Sequence, residues 1–406
     1  MYNLAIYLYL FAAKIVACWN KKVRLMIQGH SQTFETLRTQ IDKGSRYLWF
    51  HAASLGEFEQ GRPLIERIRK SHPEYKILLT FFSPSGYEVR KNYEGADVVC
   101  YLPFDTPWNV HRFFKLVHPE MAFFIKYEFW QNYLNKLQQL NIPKYSFSSI
   151  FRPNQLFFRW YGGQYYKVLT RFTHLFVQNE PSRQLLAARG ITNVSVVGDT
   201  RFDRVLDIFQ QAKQLSLVEN FKGSSFVLVA GSSWSPDEDI FIPYFNDHPE
   251  MKLIIAPHVI SETHLKEIIE KLKRPYVLYT QADATSIAQA DCLIVNCYGL
   301  LSSIYRYGEV AYVGGGFGVG IHNLLEAVVY DVPVLFGPNN ERFREATDLK
   351  ACEGGVEITK YEDFTRFLDL IMINETHRKE LGKRAGDYVR NNAGATQAIL
   401  NFLGLY

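Results

Sequence analysis

The chain has 406 residues, of which 47% are hydrophobic and 21% charged, and it carries a formal net charge of +4 at neutral pH. This balance excludes an intrinsically disordered chain and a strongly basic nucleic-acid binder, and the length implies two domains rather than one core. Five scattered cysteines, Cys18, Cys100, Cys292, Cys297 and Cys352, form no Cys-x-x-Cys pair, which argues against a disulfide framework or zinc site and fits a reducing compartment.

The chain begins with an aromatic-rich apolar run, LAIYLYLFAAKIVACW at residues 4–19, broken only by Lys14 and followed by Lys21, Lys22 and Arg24. It is shorter than the ~20 residues of a spanning helix, and its cations follow the run, whereas those of a secretory signal precede it. Residues 1–20 therefore read as a membrane-anchoring helix, interfacial or barely spanning. The alternative is an aromatic helix docked on its own domain.

Short apolar runs follow at 47–54, 76–82, 97–103, 121–128 and 174–179, with helical patterns at 61–72, 86–93, 107–119 and 180–190 between them. Runs of this kind suit strands buried on both faces, and their alternation with helices implies βαβ units around a parallel sheet. The second half repeats the style. Strands are expected at 224–233, 251–258, 276–280, 291–297, 309–316 and 331–338, and helices near 261–273, 322–330 and 375–391. No internal repeat is visible. The reading is α/β, with two Rossmann-like domains at 21–208 and 209–385 facing a cleft, and a C-terminal helix at 386–406 with the option of packing back on the first.

Several stretches sit where strands end, which is where open α/β sheets bind ligands. In HAASLGEFEQ (residues 51–60), Ser54-x-x-Glu57 matches a capping box, yet Glu57 also suits a base that takes a proton from a hydroxyl. TFFSPSGYE contributes Ser83 and Ser85. FIKYEFWQN contributes Lys126, Glu128 and Trp130. In VVGDTRFD, Arg201 and Asp203 line the cleft or pair within a turn. VAGSSWSPDED offers Ser232 and Ser233, and IIAPHVI places His258 at another strand end.

The glycine-rich stretch YVGGGFGVGIHNLLEA (residues 312–327) is neither Gly-x-Gly-x-x-Gly nor a P-loop. Its glycines at 314, 315, 316, 318 and 320, and a helix beginning near His322 and Asn323, fit a phosphate, with Glu326 placed for ribose hydroxyls. A tight turn is the competing explanation.

Taken in order along nearly the whole chain, these stretches resemble the 3-deoxy-D-manno-octulosonic acid (Kdo) transferase family. HAASLGE is similar to its His-Ala-x-Ser-x-Gly-Glu, YEFWQN to Thr-Glu-Leu-Trp-Pro-Asn, VVGDTRFD to Gly-Asn-x-Lys-Phe-Asp, AGSSWSPDED to Gly-Ser-Thr-His…Glu-Glu, and GGGFGVGIHNLLEA to Gly-Gly-Ser…Gly-Gly-His-Asn-x-Leu-Glu. Lys126 stands where the family has an acid, Gln131 where it has Pro, and Trp234 where it has His.

The resemblance implies a GT-B glycosyltransferase and an inverting, metal-independent transfer of Kdo from CMP-Kdo to a lipid A precursor (lipid IVA) at the cytoplasmic face of the bacterial inner membrane. No cofactor, metal or nucleic-acid partner is implied. The catalytic base falls on Glu57. Donor-binding residues fall on Ser232, Ser233, His258, Gly315, Gly316, Gly318, His322, Asn323 and Glu326, and acceptor contacts on Ser54, Arg62, Ser83 and Glu128. A nucleotide-sugar epimerase, or a transferase of another sugar, on the same fold is the alternative.

Overall fold

The computed structural model describes residues 2–405. They divide into two compact units, residues 1–204 with 393–406, and residues 205–392. Each unit is built on one seven-stranded, wholly parallel sheet.

In the first unit the strands are β1 (Arg46–Ala52), β2 (Tyr75–Phe81), β3 (Val98–Tyr101), β4 (Pro119–Ile125), β5 (Lys144–Ser149), β6 (His174–Val177) and β7 (Val194–Val196), in the spatial order β3-β2-β1-β4-β5-β6-β7. Side chains alternate between the faces of a strand. From β1, Tyr47 and Trp49 enter a cluster with Phe113, Phe124 and Tyr133. Leu48, Phe50 and Ala52 enter another with Phe58, Leu64 and Phe123. Both faces are buried, so the strand reads as an unbroken apolar run.

Strand β5 escapes that criterion because it carries Ser146, Ser148 and Ser149 in its interior. Their hydroxyls are satisfied locally. Ser146 and Ser149 donate to the Lys126 carbonyl at 3.1 and 2.7 Å, and Ser148 bonds Thr200 at 2.8 Å.

The second sheet contains β8 (Phe226–Ser233), β9 (Met251–Pro257), β10 (Tyr276–Leu278), β11 (Cys292–Ile294), β12 (Val310–Val313), β13 (Val334–Phe336) and β14 (Gly355–Glu357), ordered β10-β11-β9-β8-β12-β13-β14. Strand β14 is only three residues long and begins with Gly355, so no apolar run announces it. In each sheet the direction of winding reverses once, between β1 and β4 and between β8 and β12. Crossovers leave in opposite directions there, so the strand ends at that point border a crevice.

Two sequence expectations need correction. Residues 1–20 are not a separate segment. Helix Tyr2–Val16 is fastened to the first unit, where the Tyr2 hydroxyl donates to Asp105 at 2.5 Å and Asn132 Nδ2 donates to Asn3 at 2.8 Å. Ala13 packs with Met26 and Phe104. Among the described residues no helix is long and apolar enough to cross a membrane. The opposite face stays uncovered, with Leu4, Leu8 and Phe11 each at least 60% exposed.

At the other end, helix Glu375–Asn392 belongs to the second unit and runs past the expected break at 386. The chain turns at Gly394, whose φ of 109° favours glycine. Helix Ala395–Leu403 then adds Ile399 and Leu400 to the first unit's core.

Asp203 secures this return. It is buried, and its carboxylate accepts from Gly394 N at 2.6 Å, Thr396 N at 2.7 Å and Thr396 Oγ1 at 2.7 Å. Replacing it strands three donors, two of them backbone. Asp203→Ala is expected to lower stability by about 2–4 kcal/mol in denaturant titrations and to expose residues 393–406 to proteolysis.

Candidate active site

In the first unit the groups converge where β1 and β4 end. The strand β1 turns at Ala53 into helix Leu55–Ser71, which brings Glu57 into its first turn. The capping-box reading fails in detail. The Ser54 hydroxyl makes no capping bond, and the Glu57 carboxylate reaches back to Ala53 N at 2.6 Å instead of the Ser54 amide. Burial, and then the negative charge of Glu128, raise the Glu57 pKa above the ordinary carboxylate value. The Ala53 bond, Lys126 and His51 oppose them.

His51, fully buried at the end of β1, was not among the residues singled out from the sequence. Its Nδ1 lies 3.1 Å from the Thr80 carbonyl and 2.9 Å from the Thr80 hydroxyl. A carbonyl only accepts, so Nδ1 carries the hydrogen. Its Nε2 lies 3.2 Å from Glu128, and the Trp130 indole N–H reaches both Glu128 at 2.8 Å and His51 Nε2 at 3.1 Å. With the ring hydrogen on Nδ1 and Nε2 accepting from the indole, it is the Trp130 N–H that fixes the Glu128 carboxylate. The alternation of strand residues was the available signal for His51, since it shares the Tyr47 and Trp49 face.

Lys126 is the last feature of this group. It follows β4 with φ 58°, a left-handed conformation unusual for a residue with a Cβ. The two serine bonds to its carbonyl, and its own amide bond to the Phe147 carbonyl at 3.0 Å, hold it there. Such strain persists only where the surroundings fix it, and it commonly marks functional positions.

The remaining first-unit candidates are more dispersed. Ser83 caps the short helix Pro84–Arg90, its amide donates to the Ala53 carbonyl at 2.8 Å, and its hydroxyl bonds Ser85 at 2.6 Å. Arg62 lies further along the helix, bonded to Glu66 at 2.5 Å and 3.7 Å from Glu59. Its charge is answered within its own helix.

In the second unit the candidates gather where β8, β9 and β12 end. Asp237, in the first turn of helix Ser235–Asp247, accepts from Trp234 N at 2.9 Å, Gly315 N at 2.8 Å and the Tyr312 hydroxyl at 3.0 Å. It ties the glycine loop to the end of β8, a role the sequence did not reveal. Ser233 is buried and donates to Glu238 at 3.0 Å; Glu238 also meets His264. Asp239 pairs with Lys271 at 2.8 Å. The acidic run 237–239 is therefore committed to structure.

The glycine loop departs from the expected phosphate cradle. The helix after it is Leu325–Val328, four residues rather than one starting at His322, so its dipole is small. Asn323 spends its side chain on that start, accepting from Leu325 N at 3.2 Å and donating to Glu326 at 2.9 Å. The amides of Gly318 and Gly320 donate to the Gly315 carbonyl, and that of His322 to Gly314. Gly315, at φ 94°, permits the fold of the loop, and Gly316 lies so close to Gly337 that a Cβ would sit 2.5 Å from its Cα. A Cβ on Gly318 would meet nothing within 4 Å, so that side of the loop is open.

Beside the loop three rings stack. Trp234 and His258 centroids are 4.8 Å apart, His258 and His322 4.3 Å, and the Trp234 indole donates to His322 Nε2 at 3.3 Å. Burial, with His258 adding to it, pushes the His322 pKa down to about 4, so His322 is neutral at pH 7. Ser232 precedes this group with φ 52°.

Two parallel sheets of this kind, each reversing its winding once, define a two-domain α/β fold of the GT-B type. The same fold occurs in the crystal structure of UDP-GlcNAc 2-epimerase from Neisseria meningitidis bound to UDP-GlcNAc, with a TM-score of 0.63 and 13% identity over 88% of this chain and 99% of that one. It also occurs in the UDP-GlcNAc 2-epimerase of Methanocaldococcus jannaschii, with a TM-score of 0.54 and 16% identity over 85% and 98%.

Sequence similarity is narrower. Residues 27–204 match the family described as 3-deoxy-D-manno-octulosonic-acid transferase (kdotransferase). Relatives of that name include proteins of Aquifex aeolicus (27% identical over 82% of this chain and 88% of the relative), Haemophilus influenzae (23%, over 88% and 87%) and Chlamydia muridarum (24%, over 95% and 89%). Over most of its length the chain is therefore similar to Kdo transferases, which are glycosyltransferases.

The carboxylate pair gives a direct test. Glu128→Gln removes the neighbouring negative charge, so the Glu57 pKa should fall; Lys126→Met removes a positive one, so it should rise. Carboxyl carbon NMR of Glu57 across a pH titration reads both directions.

Proposed function

We propose that the protein transfers Kdo from CMP-Kdo to a hydroxyl of a lipid A precursor, lipid IVA, with inversion and without a metal ion, at the cytoplasmic face of the bacterial inner membrane. The observation that carries the proposal is the Glu57 site in a chain similar to Kdo transferases: a half-buried carboxylate of raised pKa, beside a second carboxylate that the Trp130 indole holds in place.

In this reading Glu57 takes the proton from the acceptor hydroxyl as the oxygen attacks the anomeric carbon of Kdo. A raised pKa makes it a stronger base than an exposed glutamate. Ser54, Ser83 and Glu128 contact the acceptor. Arg62, engaged by Glu59 and Glu66, is the weakest member of that set.

The departing CMP is held by the second unit. His258, Ser232 and the open side of the loop at Gly318 meet the phosphate, and Glu326 meets ribose hydroxyls. The short helix supplies little dipole, so side chains and loop amides take the charge. Ser233, Gly315, Gly316, His322 and Asn323 shape this surface more than they touch the ligand. The exposed face of helix Tyr2–Val16, with Lys14, Lys21, Lys22 and Arg24, rests on the membrane in interfacial fashion.

The test is a transfer assay with CMP-Kdo and lipid IVA in the presence of EDTA, read by mass spectrometry. Added Kdo at an undiminished rate is expected, and Glu57→Ala should lose roughly 10²–10⁴-fold in kcat while still binding CMP-Kdo. Near-normal transfer by that variant would remove Glu57 as the base. Because the base form is lost as pH falls through a raised pKa, the acid limb of kcat/KM should lie above that of an ordinary carboxylate and shift down in Glu128→Gln.

A further inference from the structure

Beside Glu128 the first unit contains a cavity of about 350 Å³. Its walls come from helix Tyr2–Val16 (Tyr2, Ile6), the 127–131 loop (Phe129, Trp130) and the segment 157–168 (Phe157, Val168), with Glu128 itself on the rim. Aromatic and aliphatic groups dominate it. The wall formed by the first helix is fixed, because Tyr2 is bonded to Asp105, which also accepts from the amides of Asn132 and Tyr133 at 3.0 and 3.1 Å. This arrangement gives the tether between the N-terminal helix and the Glu128 loop a purpose beyond stability: it closes a pocket.

We infer that this cavity is an acyl-chain subsite, which takes one hydrocarbon chain of a lipid whose polar head lies at Glu57 and Glu128. The inference rests on the lipid acceptor proposed above and adds to it a specific place for a chain. Three observations select a hydrocarbon chain over a polar ligand. Several polar groups of the lining are engaged elsewhere: Tyr2 donates to Asp105, the Trp130 indole to Glu128, and Tyr127 to the Ile150 carbonyl. Glu128 belongs both to the cavity and to the proton-transfer site, so a molecule filling one is continuous with a group in the other. The helix that forms one wall also presents Leu4, Leu8 and Phe11 to solvent, and the segment forming another presents Leu156, Trp160 and Tyr161. Apolar surface therefore continues outward from the cavity, as a chain leaving a bilayer requires. A methylene is close to a water molecule in size, so the space suits a chain of roughly a dozen carbons, taking water at ~30 Å³.

The experiment uses the full chain and two probes. A diazirine-bearing laurate is photo-crosslinked and mapped by mass spectrometry, with unlabelled laurate as competitor. Labelling within residues 2–6, 127–131 and 157–168 is expected, suppressed by laurate and lost in Ile6→Trp, which fills the space. Labelling confined to Leu8 and Phe11, or unaffected by Ile6→Trp, would overturn the subsite and leave only surface adsorption.

The second probe is the acceptor itself, acylated, chain-shortened or fully deacylated. Each methylene removed should weaken apparent affinity roughly fourfold. Ile6→Trp should raise KM for the acylated acceptor and leave the deacylated one unchanged, while Phe157→Ala should shift preference to longer chains. Equal effects on acylated and deacylated acceptors would refute the inference. The two proposals fail separately. Mapped laurate binding without any Kdo transfer would sustain the pocket and refute the acceptor reading, whereas transfer indifferent to chain length, with no labelling in the cavity, would do the reverse.

Discussion

The reversal of winding in each parallel sheet is the constraint on which the rest depends. Crossovers on either side of β1 and β4 leave in opposite directions, and so do those beside β8 and β12. At these points the strand ends are not roofed by a connecting helix. His51 and Glu57 follow β1, and Lys126 and Glu128 follow β4. Ser232 and Ser233 end β8, and the glycine loop follows β12. Segments far apart in sequence are thus delivered to two places by sheet order alone.

At the first place the chemistry comes from opposed electrostatic demands. Burial and Glu128 make Glu57 harder to ionise, whereas Lys126, His51 and the Ala53 amide make it easier. The balance is held by groups that cannot relax. His51 is fixed by Thr80, Glu128 by the Trp130 indole, and Lys126 by a left-handed backbone clamped through Ser146 and Ser149. Rigid partners of this kind are what a site needs if a proton is to move without the surroundings first reorganising.

The second place is built differently. Its buried carboxylate, Asp237, faces inward and organises the loop instead of meeting a ligand. Trp234 closes a three-ring stack and bonds His322. The glycines work mainly by close packing, as Gly316 against Gly337 shows. What the loop leaves accessible is one open side around Gly318 and the exposed ring of His258.

The sequence by itself determined the two α/β sheets, because strands buried on both faces must be written as apolar runs, and most of β1, β2, β4, β8 and β9 was legible in that way. It also marked Glu57, Glu128 and the glycine loop as candidates, since polar or glycine-rich stretches there follow directly on apolar strand runs. It did not disclose β5, whose serines are satisfied by a carbonyl twenty residues away, or β14, too short to show a period. Only the tertiary structure decided that His51 is a partner of Glu128, that Asp237 and Asp203 act as internal fasteners, that the helix after the glycines spans a single turn, and that the N-terminal helix is tied to Asp105. Those facts depend on hydrogen bonds between residues distant in sequence, and local propensity carries no record of them.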